Sequence, residues 1–206
     1  MKKNIIKLIF GILLISVVFI LIFVCYTKFF NKEDVTLSEE KKVVKEITEY
    51  GYKLEDDETT LYKETFEELV NILENDEVDY ENYANVIAKL FVIDFYDLDN
   101  KITKNDVGGL QFIYSTRVEN FNLNAKNTIY KTIENNIYKK RTQKLPKVTE
   151  VTINSTEKTT FKFRNESKEA YLVKLTITYA EDLGYQSEVS VTLIHEDKKL
   201  SIAEVK

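Results

Sequence analysis

The sequence predicts an α+β fold, with an N-terminal transmembrane helix followed by about three helices packed on a four- to five-stranded antiparallel sheet. Residues 8–27 form an uncharged apolar run. Between residues 59 and 137, apolar side chains recur at the spacing of amphipathic helices. From Pro146 onward they alternate with polar side chains, as in half-buried strands. Helices followed by strands with short links are typical of the α+β class.

The apolar run at residues 8–27 is long enough to cross a bilayer. At about 1.5 Å per residue, a helix of this length spans about 30 Å, the thickness of the hydrocarbon core. A cleaved signal peptide has a shorter apolar region and a small-residue cleavage site, whereas Ile22, Phe23 and Val24 precede Cys25. The same residues disfavour a lipid-modified Cys25. The run shows no amphipathic pattern, which disfavours a buried core helix. We therefore predict an uncleaved membrane anchor.

Charges on either side of the run predict its orientation. Lys2, Lys3 and Lys7 precede the run, whereas the two lysines that follow it, Lys28 and Lys32, are offset at once by Glu33 and Asp34. The positive-inside rule therefore places the N-terminus in the cytoplasm and the rest of the chain outside. We therefore predict that the protein is located in the cell membrane and crosses it once.

The anchor divides the chain into four predicted segments. They are a cytoplasmic head at residues 1–7, a transmembrane helix at 8–27, a stalk at 28–45 and an extracytoplasmic α+β domain at 46–206. Through residues 8–27, the lipid bilayer is the first predicted partner.

Composition restricts what the outer part of the chain can bind. The first 27 residues hold three of the 29 basic side chains and none of the 34 acidic ones, so residues 28–206 carry a net charge of −8. We therefore expect no nucleic-acid partner, because such binding needs clustered Lys and Arg. Anionic lipid should repel the domain weakly. Cys25 is the only cysteine, so the domain can form no disulfide.

Periodicity and capping signals predict the elements of the outer domain. An alternating segment at 46–55 predicts a strand, with Tyr50, Tyr52 and Leu54 on one side. Capping residues and helical spacing predict three helices, at 59–74, at 80–98 after Asp79, and at 123–137 after Asn122. Alternation predicts strands at 148–155, 159–164, 170–180, 186–195 and 200–205.

The polar segment from Asp97 to Gly109 is predicted to be a loop. Its start resembles a calcium loop, but Ile102 and Gly108 stand where an EF-hand needs glycine and glutamate. We expect a capped turn instead, in which Asp99 or Asn100 bonds the local backbone. The paired glycines Gly108 and Gly109 could form an anion-binding nest, but a tight turn entering a packed segment is the favoured interpretation.

Two single residues could carry chemistry. Asp94 lies within an apolar run, where it is expected to face solvent or to pair with a lysine or a tyrosine hydroxyl rather than to act in catalysis. His195 is the only histidine, with no cysteine outside the predicted span, so it cannot belong to a Cys–His dyad or a multi-histidine metal site, and a structural or solvent-exposed role is expected. We therefore predict no catalytic, metal-ligating or cofactor-binding residue, and no cofactor.

The order of elements over residues 46–206 resembles the NTF2-like cone fold. A single-pass anchor followed by such a domain is also similar to certain assembly components of type IV secretion and conjugation machines. Separately, the stretches LYKETFEEL and KLFVIDFYDLDNKITKNDVGGLQF resemble an uncharacterised family of membrane-anchored proteins from low-GC Gram-positive bacteria. That resemblance implies a location and a source, but no activity.

These observations predict a non-catalytic, membrane-tethered extracytoplasmic interaction module with a protein partner in the envelope, as in an envelope or transfer assembly. One alternative is a small-ligand-binding domain with an NTF2-like pocket. A second alternative is an enzyme that depends on paired carboxylates, although 34 acidic side chains bring some pair together in any fold.

Overall fold

Three α-helices and two antiparallel sheets make up the part of the chain that the computed structural model describes, residues 41–163 and 166–206. Residues Lys42–Lys206 form one compact unit. The predicted head, the predicted span at 8–27 and most of the predicted stalk lie outside the described residues. Within the described residues, no helix is both long and apolar enough to cross a membrane.

The strand predicted at 46–55 is a hairpin of two short strands, β1 (Val43–Ile47) and β2 (Tyr52–Glu55). The chain reverses at Gly51, whose φ of +69° is in the left-handed region. Alternation alone could not show the reversal, because Tyr52 and Leu54 are buried on the same side whether or not the chain turns before them. The hairpin also begins at Val43, within the segment predicted to be stalk.

Helices α1 (Thr60–Leu73) and α2 (Tyr80–Tyr96) confirm the first two helix predictions to within a residue or two. The hydroxyl of Thr59 accepts a hydrogen bond from the Tyr62 N–H, and the Asp79 carboxylate accepts from two backbone N–H groups of α2. Helix α2 buries side chains around most of its circumference and packs against α1, β3 and β4. It is the central helix of the core.

A third helix is present, as predicted, but its predicted bounds, residues 123–137, are wrong. Two 3₁₀ turns, Leu110–Phe112 and Ser115–Arg117, lead into helix α3, which spans Val118–Asn127. Asn122, the expected cap, therefore lies inside the helix. At the other end, the Thr128 hydroxyl donates to the Asn124 carbonyl, and the side chains of Asn135 and Asn136 accept backbone N–H groups from the following loop. Such local bonds compete with helical hydrogen bonding.

The main sheet has the order β3-β4-β5-β6, with every pair antiparallel. Its strands are β3 (Val148–Phe163), β4 (Glu166–Tyr179), β5 (Glu188–Glu196) and β6 (Lys199–Val205). The two strands predicted at 148–155 and 159–164 are one long strand, because a bulge near Asn154 absorbs the break in alternation. The other three strand predictions are confirmed to within a few residues.

Both faces of this sheet bury apolar side chains. One face packs on α2 through residues such as Val173, Val191 and Leu193, each 0% exposed. The opposite face carries a smaller cluster of Ala170, Ile194 and Ala203, over which Tyr114 and Phe161 pack. The second cluster anchors the chain before α3 to the sheet and thereby positions the site described next.

Candidate functional site

A groove of about 360 Å³ lies between helix α3 and strand β6. This volume is near the lower end of the range found for ligand sites. Its lining comes from the chain before α3, from α3 itself and from β6: Ile113, Arg117, Asn120, Phe121, Asn124, Ile202, Ala203, Glu204 and Val205.

The groove follows the outer edge of the sheet, because β6 is an edge strand. The first half of this edge is covered: Ile113 forms a parallel bridge with Ile202, and the Tyr114 N–H donates to the Ile202 carbonyl at 2.9 Å. At Ser115 the chain turns away into the 3₁₀ turn and α3. The second half of β6 is therefore left without a neighbouring strand among the described residues.

Backbone groups of Val205 face this open edge. Ser190 and Lys206 exchange two backbone hydrogen bonds, of 2.8 and 2.9 Å, so the N–H and C=O of Lys206 point toward β5. Because these directions alternate along an antiparallel strand, the N–H and C=O of Val205 point away from β5. Four consecutive residues of β6 line the groove, as expected where a strand presents its edge rather than one face.

Arg117 supplies the positive charge of the groove. Its guanidinium donates to the Ala203 carbonyl and lies over the rings of Phe161 and Phe163, with its central carbon 5.5 and 5.2 Å from their centroids. Among the described residues, no carboxylate forms an ion pair with Arg117. The side chain is thus held in place by neutral contacts, with charge available for an anionic group.

The remaining polar groups line the rim. Asn120 and Asn124 lie one turn apart on α3, so their amides share one side of the helix. Glu204 is paired with Lys206 at 2.8 Å, which reduces its repulsion of an anion. The lining contains amides, a guanidinium and a strand edge, and it includes no Cys, Ser or His side chain. The amides and the guanidinium can donate hydrogen bonds to a bound group, and Glu204 and the strand edge can accept them.

Asp94, singled out in the sequence, forms a structural ion pair with Lys101. The Lys101 side chain is only 2% exposed, and the Asp94 carboxylate also accepts the Gly109 N–H at 2.6 Å. Burial alone lowers the pKa of the Lys101 ammonium, but the Asp94 carboxylate raises it, and the net shift of the pKa is upward. Pairing with a lysine, one of the expected arrangements, is confirmed.

The paired glycines form a tight turn, as favoured from the sequence. A Cβ on Gly108 would overlap the Asp94 carbonyl oxygen, and Gly109 has a φ of +73°. Their role is to let the chain pass close to α2 before the first 3₁₀ turn.

Asp97 takes the capping role expected of Asp99 or Asn100. Its carboxylate accepts the Asn100 N–H, while its Oδ1 atom is buried without a hydrogen-bond partner. Burial raises the pKa of Asp97 to about 6, although Lys101 acts to lower it. The Asn100 side chain instead bonds the carbonyl of Asp57 at 3.4 Å, far away in sequence.

His195 and the acidic residues offer no comparable arrangement. The His195 ring packs edge-on against Tyr80, with centroids 4.9 Å apart, in a structural contact. Glu55, Asp57 and Glu58 each bring an oxygen within 4.8 Å of the others, which a cation could bridge. All three already have other interaction partners.

Two buried tyrosines lie where the first turn of α2 meets β2 and β6. The hydroxyls of Tyr52 and Tyr83, both 0% exposed, are 2.6 Å apart, and they bond the backbone of Leu200. A network that joins β2, α2 and β6 in this way stabilises the core.

Sequence reasoning missed the groove residues. Arg117 and Val205 have no motif around them, and only the Asn120–Asn124 spacing could have suggested a polar helix face. Comparisons with protein families, with curated proteins and with solved structures each found no match. Function must therefore be argued from the geometry of the groove.

Proposed function

We propose that this protein is a membrane-tethered extracytoplasmic interaction module that binds an extended segment of a partner protein along the open edge of β6. The observation that carries the proposal is that no strand among the described residues pairs with β6 at Val205, which lies beside Arg117 and α3. The apolar run at residues 8–27 supports the tether. Such a module would be a component of an envelope or transfer assembly.

Strand addition explains why the groove combines these groups. An extended peptide would bond the N–H and C=O of Val205, while its apolar side chains contact Phe121 and Ile113. A carboxylate on the peptide would bind Arg117, which Ala203 and two rings already hold in position. Because the guanidinium is ordered before binding, little conformational entropy is lost when the peptide binds.

We further propose that the domain is a variant of the NTF2-like fold, with its cone filled by side chains. The order of three helices followed by a four-stranded antiparallel sheet supports this relationship. The small-ligand alternative has less support, since Tyr52 and Tyr83 are fully buried and bonded to each other where α2 meets β2 and β6. The carboxylate-enzyme alternative rests on the Glu55, Asp57 and Glu58 group alone.

Photocrosslinking tests the proposal in cells that make the full chain. A photoreactive residue at position 124 should form one reproducible adduct with an envelope protein, whereas one at Lys174, in strand β4 and separated from β6 by β5, should not. Val205→Pro removes the outward N–H without removing a ladder hydrogen bond, as edge strands tolerate. It should weaken binding by roughly 1 kcal/mol, about fivefold.

Val205→Thr is the matched control, because it keeps the N–H and the β-branched shape. Its adduct should match that of the wild type. No adduct at position 124, or an adduct that Val205→Pro leaves unchanged, would contradict binding along β6.

A further inference from the structure

Charge is distributed very unevenly within the acidic domain. Residues 55–99 hold 15 acidic and two basic side chains, whereas residues 101–147 hold ten basic and three acidic ones. At physiological salt, charges interact over about 8 Å, so a surface responds to its local charge rather than to the net charge of the domain. The weak repulsion from anionic lipid, expected from the net charge of residues 28–206, therefore does not apply to every face.

The basic side chains concentrate on one surface loop, residues 128–147, which we call the basic loop. Tyr138 is 83% exposed, the highest exposure of any large apolar residue described. It is followed directly by Lys139 and Lys140, both exposed. An exposed tyrosine beside lysines is typical of proteins that contact the headgroup layer of a bilayer.

The basic loop is held in one conformation by bonds to the loop after α2. Arg141 donates to the carbonyls of Lys101 and Asp99 at 2.6 and 2.7 Å, and the Asn136 N–H donates to the Ile102 carbonyl at 2.8 Å. Because the loop is already ordered, docking would cost it little entropy.

The basic loop lies at the end of the domain where the chain enters. The Lys42 carbonyl accepts the Asp56 N–H at 2.9 Å, and the carbonyl of the next residue, Asp57, accepts from the Asn100 side chain at 3.4 Å. Arg141 in turn binds the carbonyl of Asp99. These three hydrogen bonds link Lys42, at the start of the domain, through the segments around Asp57 and Asp99 to Arg141 in the basic loop.

Among the described residues, the neighbouring acidic side chains offset Arg141 and Lys144 but form no ion pair with Lys139 or Lys140. Asp99 lies 3.8 Å from Arg141, and Glu181 pairs with Lys144 at 2.8 Å. No ion pair is formed by Lys139 or Lys140 with a described residue. Both ammonium groups are therefore available for an anionic surface.

We propose that the basic loop docks on the phosphate-bearing headgroups of the bilayer that holds the anchor, with Tyr138 in the interfacial layer and Lys139 and Lys140 on phosphates. This inference rests on the proposed tether, since residues 28–41 connect the span to the end of the domain that carries the loop. Docking fixes the orientation of the domain on the membrane and, with it, that of the β6 groove.

Tryptophan fluorescence tests the docking directly, because the chain contains no tryptophan. Two variants, Tyr138→Trp and Tyr80→Trp, each introduce a single fluorescent tryptophan. Position 80 is at the start of α2, whereas position 138 is in the basic loop, which bonds to the segment after the end of α2. The full-length variants are reconstituted into vesicles of phosphatidylcholine alone or mixed with phosphatidylglycerol, with and without brominated acyl chains. In the anionic vesicles, the emitter at position 138 should be quenched several-fold more than the one at position 80, and added salt should reduce the difference.

A charge-matched pair of double variants identifies the responsible side chains. In the Tyr138→Trp background, Lys139→Gln with Lys140→Gln should lower quenching in anionic vesicles to its value in neutral ones. Lys162→Gln with Lys174→Gln removes the same charge elsewhere and should change nothing. Equal quenching at positions 138 and 80, or no loss in the first double variant, would overturn the proposal.

Vesicle flotation after an alkaline wash separates this inference from the tether. A chain that fails to float lacks an anchor, and both proposals then fall. If the chain floats but the tryptophan at position 138 is not quenched, the tether is retained. That result would refute docking of the basic loop. A blue shift at position 138 that depends on protein concentration and not on lipid would assign the basic loop to a second copy instead, which also refutes docking.

Discussion

At the scale of single residues, buried charge is the main energetic feature of this domain. Lys101 and Asp97 are each 2% exposed, yet their surroundings differ. Lys101 has a carboxylate partner in Asp94, whereas one oxygen of Asp97 has no hydrogen-bond donor. Breaking the pair between Lys101 and Asp94 should therefore destabilise the fold. Removing the charge of Asp97 should stabilise it.

Asp97 makes stability depend on pH. Its folded pKa of about 6 exceeds the ordinary value of 3.8, so the folded state binds more protons between these values. The contribution of Asp97 to stability should therefore be highest below about pH 4 and fall as the pH rises to about 6, by up to roughly 3 kcal/mol. Asp97→Asn should remove this decrease and be more stable than the wild type at pH 7, as measured by urea unfolding from pH 4 to 8.

The exposed residue Asp76 provides the control for that comparison. Asp76→Asn should keep the wild-type pH dependence. If Asp97→Asn shows the same decrease between pH 4 and 6 as the wild type, another group titrates in this range.

Lys101→Met should destabilise the domain by about 3–5 kcal/mol, because it leaves the Asp94 carboxylate without its cation in a largely buried position. Lys144→Met breaks the exposed pair with Glu181 and should cost less than about 1 kcal/mol. Denaturant unfolding of both variants measures the difference. Equal costs would show that the Asp94–Lys101 pair is solvated.

At the scale of elements, the turn at Gly108 packs its backbone directly against helix α2 at Asp94. Gly108→Ala would place a methyl group against the Asp94 carbonyl oxygen, which the rigid helix backbone cannot move aside. We expect a loss of about 2–4 kcal/mol in unfolding free energy. A methyl group on Gly184 would meet open space, so Gly184→Ala should cost only about 1 kcal/mol, through the left-handed φ of +75° at that position.

Thermal unfolding of the two glycine variants distinguishes crowding from backbone strain. A clearly larger loss in Gly108→Ala would identify the contact with α2 as the dominant cost. A similar loss in both variants would mean that α2 moves to accommodate the methyl group, and the close approach would then not constrain the turn.

Where an element is specified by neighbouring residues, the sequence predicted it. Asp79 caps α2 as expected, and Thr59, predicted only as the start of the first helix, caps α1, since a capping bond joins residues two or three apart. The third predicted helix extends too far, because Thr128 and the asparagines after it form local bonds that apolar spacing does not reveal. The bulge near Asn154 could not be predicted, because it depends on the partner strand β4.

At the scale of the whole molecule, position along the sheet decides which surfaces can bind. Strand β6 lies at an edge, and the chain before α3 covers only the part near Ile202. The groove and the basic loop both follow from the path of residues 113–147, part of which the sequence pattern had assigned to a helix. Two proposed contacts, a peptide at β6 and lipid at the basic loop, would together orient the domain between membrane and partner.

Local sequence patterns were enough to predict the α+β class, the first two helices and three of the strands, and they raise the expectation of a membrane span at residues 8–27. These features follow from hydrophobic periodicity and from bonds between near neighbours. The tertiary structure was needed to establish that Asp94 pairs with Lys101, that Arg117 lies against Phe161 and Phe163, and that β6 has no neighbouring strand at Val205 within residues 41–163 and 166–206. Such contacts join residues that are distant along the chain, and local patterns carry no information about which of them meet.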